Sequence, residues 1–538
     1  MRLKSIAVFF AVSAITLGAC GNSETKGAAG ESTGVNTEAS GDISLQKDTS
    51  SGEDGNLKDL ADEDISEIEV MFWTLNTLPA DVEMVEDAIN EITREKINTE
   101  VHLNIMEMGN YVQQLNLMIS GGEKLDLLAT QPGGSAHFNS MESQNQLMDI
   151  TDLLNEYAPE LLSVVPKEWL AGTTVNGRIY GVTPYGDKAT PLGFGCRKDI
   201  LEQTGIDPST IKTASDLENL FEKVLEVDPQ MTPVATGAKK ILTAPYLINS
   251  KGEFVKYDGL GDGDNCLIGV MDSDGTKIQN NYLRQEYIDT SKRFVDWYEK
   301  GYVYKDGANY SETQEALIAG GTAFGLFKCF QTGAEETLSS TCGHEMVIIN
   351  LDEEPVIDTL MLRKFTWTVP STATEPEAAV KFMNLLYTDP EVLNLITWGI
   401  EGIHYETQED GSIDFVDGQD GASCGYYLGD ETAIIGNGFL AKVRSGQDLD
   451  LRDEAEKINL NASVSAFNGF SFNSDGYENE VAGITNTIEE YRPSFACGLY
   501  TEDYYNEFLK KLKDSGVERY IEYIQQQFDS WLAESTGK

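Results

Sequence analysis

The chain has 538 residues, 41% of them apolar, with 89 acidic against 39 basic residues and a formal net charge of -50. That length exceeds what one compact core holds and implies two lobes or more, while the charge repels polyanions and argues against nucleic acid as a partner. Seven scattered cysteines and four histidines, with no C-x-x-C, no zinc-type spacing, no H-E-x-x-H and no G-x-S-x-G, leave little material for a His-based metal site.

In chain order, Arg2 and Lys4 precede an apolar run from Ile6 to Leu17, the charge-then-hydrophobe order of an export signal. The run is too short to span a bilayer, which takes about 20 apolar residues. Leu17-Gly18-Ala19-Cys20 follows where a signal peptidase cuts, and it resembles the lipobox of bacterial lipoproteins, whose cysteine is lipidated and becomes the first residue. The resemblance implies a signal peptide over 1–19, lipidation at Cys20 and a protein held on the outer face of the cytoplasmic membrane. From Gly21 to about Asp64 the chain is mostly Gly, Ser, Thr, Asp, Glu and Lys with hardly an apolar residue in periodic position, too polar to offset its conformational entropy by burial. As a disordered tether it reaches roughly 35–40 Å.

The folded part opens with a strand through Ile68, Val70 and Phe72, then a helix with Val82, Val85, Ala88 or Ile89 and Ile92 on one face, then the strand VHLNIMEM. A helix carrying Val112, Leu115, Met118 and Ile119 stops at Gly121-Gly122, and the short apolar strand KLDLLATQPG follows. Strands alternating with helices predict a parallel sheet covered on both faces. Ligands bind outside the carboxyl ends of such strands, which makes Trp73 to Asn76 and Gln131 to Gly134 candidates.

Next come a turn at Asn176-Gly177, a Pro-Tyr-Gly loop, a strand through Phe194 to Cys196 and a helix from Lys198. The order NGRIYGVTP, loop, strand, RKDILEQTGID resembles the crossover of the extracellular solute-binding proteins of bacterial ABC importers. Phe365 to Glu406 resembles the strand, helices and Trp-Gly segment of that family, and Phe467 to Leu532 resembles the C-terminal domain of one lipoprotein subfamily. The resemblance implies an α/β, two-lobe periplasmic-binding-protein-like fold, each lobe a mostly parallel sheet flanked by helices, with a ligand cleft between them. It places the first lobe over 65–180 plus about 345–395, and the second over 185–344 plus about 396–538, including a C-terminal extension over about 467–538.

The function implied is capture of a small polar solute, an oligosaccharide, for ABC import, by a monomer whose partners are that solute, permease subunits and, through the lipid, the membrane. No catalysis and no cofactor are implied. A surface glycoside hydrolase, needing two carboxylates about 5–9.5 Å apart, and a non-transport receptor or adhesin are the alternatives.

A sugar cleft needs flat apolar faces and a few fixed polar groups. Trp73 at a strand end reads as core or contact. Trp398 lies where the family stacks an aromatic on its ligand, so it reads as contact. Tyr185 is on the loop between lobes, and Trp367 alternates with Phe365 and could face core or cleft. Asn76, Gln131, Glu401 and Tyr405 complete the candidate ligand-binding set, while Trp169, Trp297 and Trp531 read as packing. The Asp-Gly stretches 258–265 and 271–277 read as hairpins, with structural calcium as the alternative. The face Val517, Tyr520, Ile521, Ile524, Phe528, Trp531 and Leu532 is one side of an amphipathic helix that packs on its own lobe.

Overall fold

The computed structural model describes residues 65–262, 265–416, 418–429 and 433–535, so the stretches expected to be a signal peptide and a tether, with Cys20, lie outside the described residues. The chain opens with β1 (Ser66–Thr74), α1 (Val82–Ile97), β2 (Thr99–Glu107), α2 (Met108–Gly121) and β3 (Leu127–Ala129). β1 and β2 run parallel and in step from Ser66↔Thr99 to Thr74↔Glu107, and β3 joins the other side of β1 in the same direction. The helices cover this sheet because each has one apolar stripe: Val85 and Ile89 of α1, and Tyr111, Leu115 and Met118 of α2, are buried. Both helices stop on a left-handed residue, Asn98 and Gly122. α3 (Phe138–Ser143) follows, and then a hairpin whose tip, Asn176-Gly177, has both residues at positive φ, as a two-residue turn requires.

Residues 185–191 carry the chain into a second sheet of β4 (Leu192–Arg197), β5 (Thr232–Val234), β6 (Ala323–Cys329) and β7 (Met346–Asn350), in the order β7-β4-β6-β5. Only β5 and β6 are parallel, and β4 is antiparallel to both its neighbours. This corrects the expectation of a mostly parallel sheet in each lobe. β4 carries the chain away from the first lobe and β7 brings it back, so these neighbours must point in opposite directions. β7 also shows that the residues from 346 to 350 belong to the second lobe, not the first.

The return passes through β8 (Val356–Ile357), α4 (Thr359–Arg363) and β9 (Trp367–Thr368), which lies antiparallel beside β3 and completes the first sheet as β9-β3-β1-β2. α5 (Pro390–Trp398) follows. Tyr426, Leu428, Ile434, Ile435 and Ala441 are then buried in the same core as Ile68 and Val70. The stretch from 396 to about 445, expected in the second lobe, is therefore built onto the first. α6 (Leu451–Asn461) leads to β9's successor β10 (Ser463–Val464), which pairs in parallel with β8. The Asn459 side chain accepts hydrogen bonds from the backbone N–H groups of Lys188 and Ala189 at 2.6 and 2.7 Å, so the three connections between the lobes are tied side by side.

α7 (Glu478–Phe495), α8 (Glu502–Asp514) and α9 (Val517–Ser535) form a third core together with Leu260, Ile268 and Tyr282 from the second lobe's long insertion. Tyr505 donates to the Tyr282 carbonyl, and the Ile278 N–H to Gln525 Oε1 at 2.8 Å. The apolar face of α9 packs into this core as expected, with Ile521, Trp531 and Leu532 at its partly open edge.

Cys329 and Cys342 hold free thiols and are not paired with each other. In the Asp-Gly stretches, Asp258 and Asp262 accept from the backbone N–H groups of Leu260 and Leu267, and Asp274 from that of Met271 and from Arg284. These carboxylates shape turns. Among the described residues, no three His, Cys, Asp or Glu side chains converge as a metal ligand set.

Candidate functional site

β1 and β3 end at the same edge of the first sheet, the edge outside which open α/β sheets bind ligands. Trp73 closes β1 there. Its Nε1 donates to the Thr130 carbonyl at 3.2 Å and its ring meets Phe365 at 5.4 Å, so the indole is held rigidly just beneath the surface. Phe365 is half-buried and has the Lys364 ammonium 4.9 Å and the Lys188 ammonium 6.0 Å from its centroid. Burial, reinforced by Lys364, pushes the Lys188 amine down to about 7.

Beyond this edge the chain from 398 to 445 forms a wall. Thr74 Oγ1 and Asn76 Nδ2 donate to the Leu428 carbonyl at 3.1 and 2.6 Å, and the N–H groups of Ala80 and Asp81 donate to the Gly425 carbonyl. Inside the wall, His404 Nδ1 accepts from the Ile400 N–H at 2.9 Å, which leaves the proton on Nε2, facing Asp81 at 3.4 Å. Burial lowers the His404 pKa and Asp81 acts against it. Gly399 is required at this point: its φ is +82° and a Cβ would sit 2.5 Å from the imidazole.

Trp398 is buried beside Tyr405 and Ile413, and its Nε1 has no acceptor among the described residues. The hollow at this place is about 10 Å³, room for little more than one water-sized group. The open aromatic face of this region is therefore its outer layer and not Trp398, which corrects the expectation that Trp398 is a contact. There Phe415 and Tyr427 meet edge to face at 5.1 Å, and the Arg444 guanidinium lies 4.6 Å from the Phe415 centroid. Arg444 also donates to the Tyr427 hydroxyl at 3.2 Å. Two half-exposed rings and a guanidinium in fixed orientation offer a stacking face with donors at its rim.

Five of the sequence candidates gather along this edge: Trp73, Asn76, Trp398, Glu401 and Tyr405. Glu401 is exposed, accepts from Thr407 Oγ1 at 2.5 Å and faces Lys442, whose ammonium lies over the Tyr405 ring at 5.1 Å. Burial raises the Tyr405 hydroxyl to about 12. Three others are packing residues. Gln131 is buried and donates to the Met108 carbonyl at the start of α2. Tyr185 is wedged between Trp169 and Phe439, with its hydroxyl on Glu456 at 2.7 Å. Trp367 is fully buried, its Nε1 on the Ile434 carbonyl at 2.8 Å, because the wall covers the face that alternation left open. Sequence reasoning missed Phe365, Phe415, Tyr427, Arg444 and Lys188. For Phe415, Tyr427 and Arg444 the available signal was the long, aperiodic stretch from 408 to 450, since such loops in a compact fold carry function; Phe365 and Lys188 lie outside it.

Residues 79–392 match the family of bacterial extracellular solute-binding proteins. The chain belongs to that family. Residues 466–533 match a separate domain family of unknown function, which coincides with the C-terminal core. A carbohydrate ABC transporter substrate-binding protein of Streptococcus pneumoniae is 23% identical over 489 residues, covering 89% of this chain and 94% of the relative. The polygalacturonan/rhamnogalacturonan-binding protein YtcQ of Bacillus subtilis is 21% identical over 82% of this chain and 88% of its own. The crystal structure of an N-glycan transport solute binding protein from Streptococcus pneumoniae superposes with a TM-score of 0.74 at 20% identity, over 87% of this chain and all of that one. The same protein in complex with Man5GlcNAc gives 0.66 over 87% and 99%. As a member of the family, this solute-binding protein has the two-lobe fold and an extracellular or surface location.

Proposed function

We propose that this solute-binding protein captures an oligosaccharide at the strand-end edge and hands it to the permease of an ABC importer, without turning it over. The observation that carries the reading is the Phe415, Tyr427 and Arg444 layer on the wall that Thr74 and Asn76 fasten, through Leu428, to the carboxyl end of β1. Sugar binding by similar proteins supports it. The acidic groups of the edge are each engaged, Glu401 by Thr407 and Lys442, Asp81 by His404 and Asp414 by Arg444, which suits holding a ligand better than hydrolysing one. Lipid attachment at Cys20 and action as a monomer belong to the same proposal.

The test is calorimetric titration with neutral oligosaccharides, coupled to product analysis of the same mixtures. We expect saturable binding with the sugar recovered intact. Tyr427→Ala, at a half-exposed position, is expected to weaken binding on the order of tenfold while the melting temperature stays near wild type. Release of shorter sugars, or an unchanged affinity in Tyr427→Ala, would overturn the proposal.

A further inference from the structure

A second and larger opening, of about 390 Å³, lies between the C-terminal core and the first lobe, and shares no lining residue with the strand-end edge. Its volume is within the usual range of small-ligand sites, about 300–1,000 Å³. One side is aromatic. The Trp531 indole lies parallel to the buried Phe528 ring at 5.8 Å and meets Phe470 at 5.7 Å, so it is braced from behind while remaining half-exposed to the groove beside Phe472. The other side is polar. Asn145 and Asn176 stand exposed at two turn tips, each at positive φ, and beside them lies the half-buried Glu142 carboxylate, whose pKa burial raises against the pull of Arg363.

The charge of the lining narrows the ligand. It contains no lysine or arginine and two carboxylates, Glu142 and Glu534, so an anion would be repelled. A flat braced indole facing exposed amides and carboxylates suits a neutral chain of hydroxyl-bearing rings, whose C–H faces stack and whose hydroxyls both donate and accept. We infer that this groove is a second carbohydrate-binding site, taking an uncharged oligosaccharide between the C-terminal domain and the first lobe. Its two walls belong to different parts of the molecule, for the C-terminal core is bonded to the second lobe's insertion through Gln525 and Tyr505. A sugar seated there joins that assembly to the first lobe.

The experiment is fluorine NMR on protein labelled with 5-fluorotryptophan, whose six tryptophans give six resonances, with Trp531 and Trp398 assigned from their Phe variants. Maltopentaose, mannopentaose and chitopentaose are titrated as neutral probes and polygalacturonate as the charged one. We expect at least one neutral probe to shift the Trp531 signal saturably, and Ser530→Arg, at an exposed position in the lining, to weaken that response at least tenfold with the Trp398 response and melting temperature unchanged. A Trp531 signal unmoved by every neutral probe, moved equally by polygalacturonate, or unaffected by Ser530→Arg overturns the inference. Unchanged calorimetric affinity in Tyr427→Ala with a response at Trp531 would count against the strand-end site alone, and a Tyr427-dependent affinity with Trp531 silent against the groove alone.

Discussion

Lys188 is 2% exposed, with Phe365 and Lys364 near its ammonium and Asp187 as its acidic neighbour. An unfolded lysine titrates near about 10.4, and this one near about 7. Between those values the unfolded chain binds more protons than the folded one, so stability rises with pH across that window. Below about pH 7 the destabilisation is complete. Lys188→Met is therefore expected to melt above wild type at pH 6, with the gap closing by pH 10, in thermal scans at both values. A lowered Lys188 pKa could not be read from the sequence, because a lysine beside Asp187 looks like an ordinary ion pair until the fold shows Asp187 turned to Asn459 and Thr332. The place of Trp73 at the carboxyl end of the first strand was legible, but the choice between core and contact was not; the indole is buried. Trp367 was not, because the residues that bury it arrive more than sixty positions later.

At the scale of elements, α6 depends on one side chain. Asn459 accepts from the Lys188 and Ala189 N–H groups and donates to Asp187 Oδ1 at 2.8 Å and to the Ala455 carbonyl at 2.7 Å. Asn459→Ala strands two buried N–H donors, each costing about 1–3 kcal/mol, so a loss of roughly 2–6 kcal/mol is expected in urea unfolding. Asn459→Asp, which keeps both acceptor bonds but places a second carboxylate beside Asp187, should recover only part of it. The strands and helices from 66 to 129 were readable because their periods are clean and their caps local. The wall from 398 to 445 was not, since it follows no period and its partners, such as Leu428 for Thr74, are set by distant backbone. The Trp-Gly resemblance pointed to the right neighbourhood and the wrong lobe.

For the whole molecule, the C-terminal helices are structural cover as well as a groove wall. Ending the chain at 465 would expose Leu260, Leu267, Ile268, Val270, Ile278 and Tyr282 together. An apolar patch of that kind drives association, so the truncated chain is expected to elute as aggregate in size-exclusion chromatography. A compact monomer with native sugar affinity would show that this domain is dispensable for folding.

The three lobe connections are lashed together by the β8–β10 pair and by Asn459. A body fastened along a line swings like a door more readily than it slides, which is the hinge type of closure. Under the proposed capture role, the distance and the angle between the two sheets would change together, so an oligosaccharide held by both would be gripped by a swing and not by a slide.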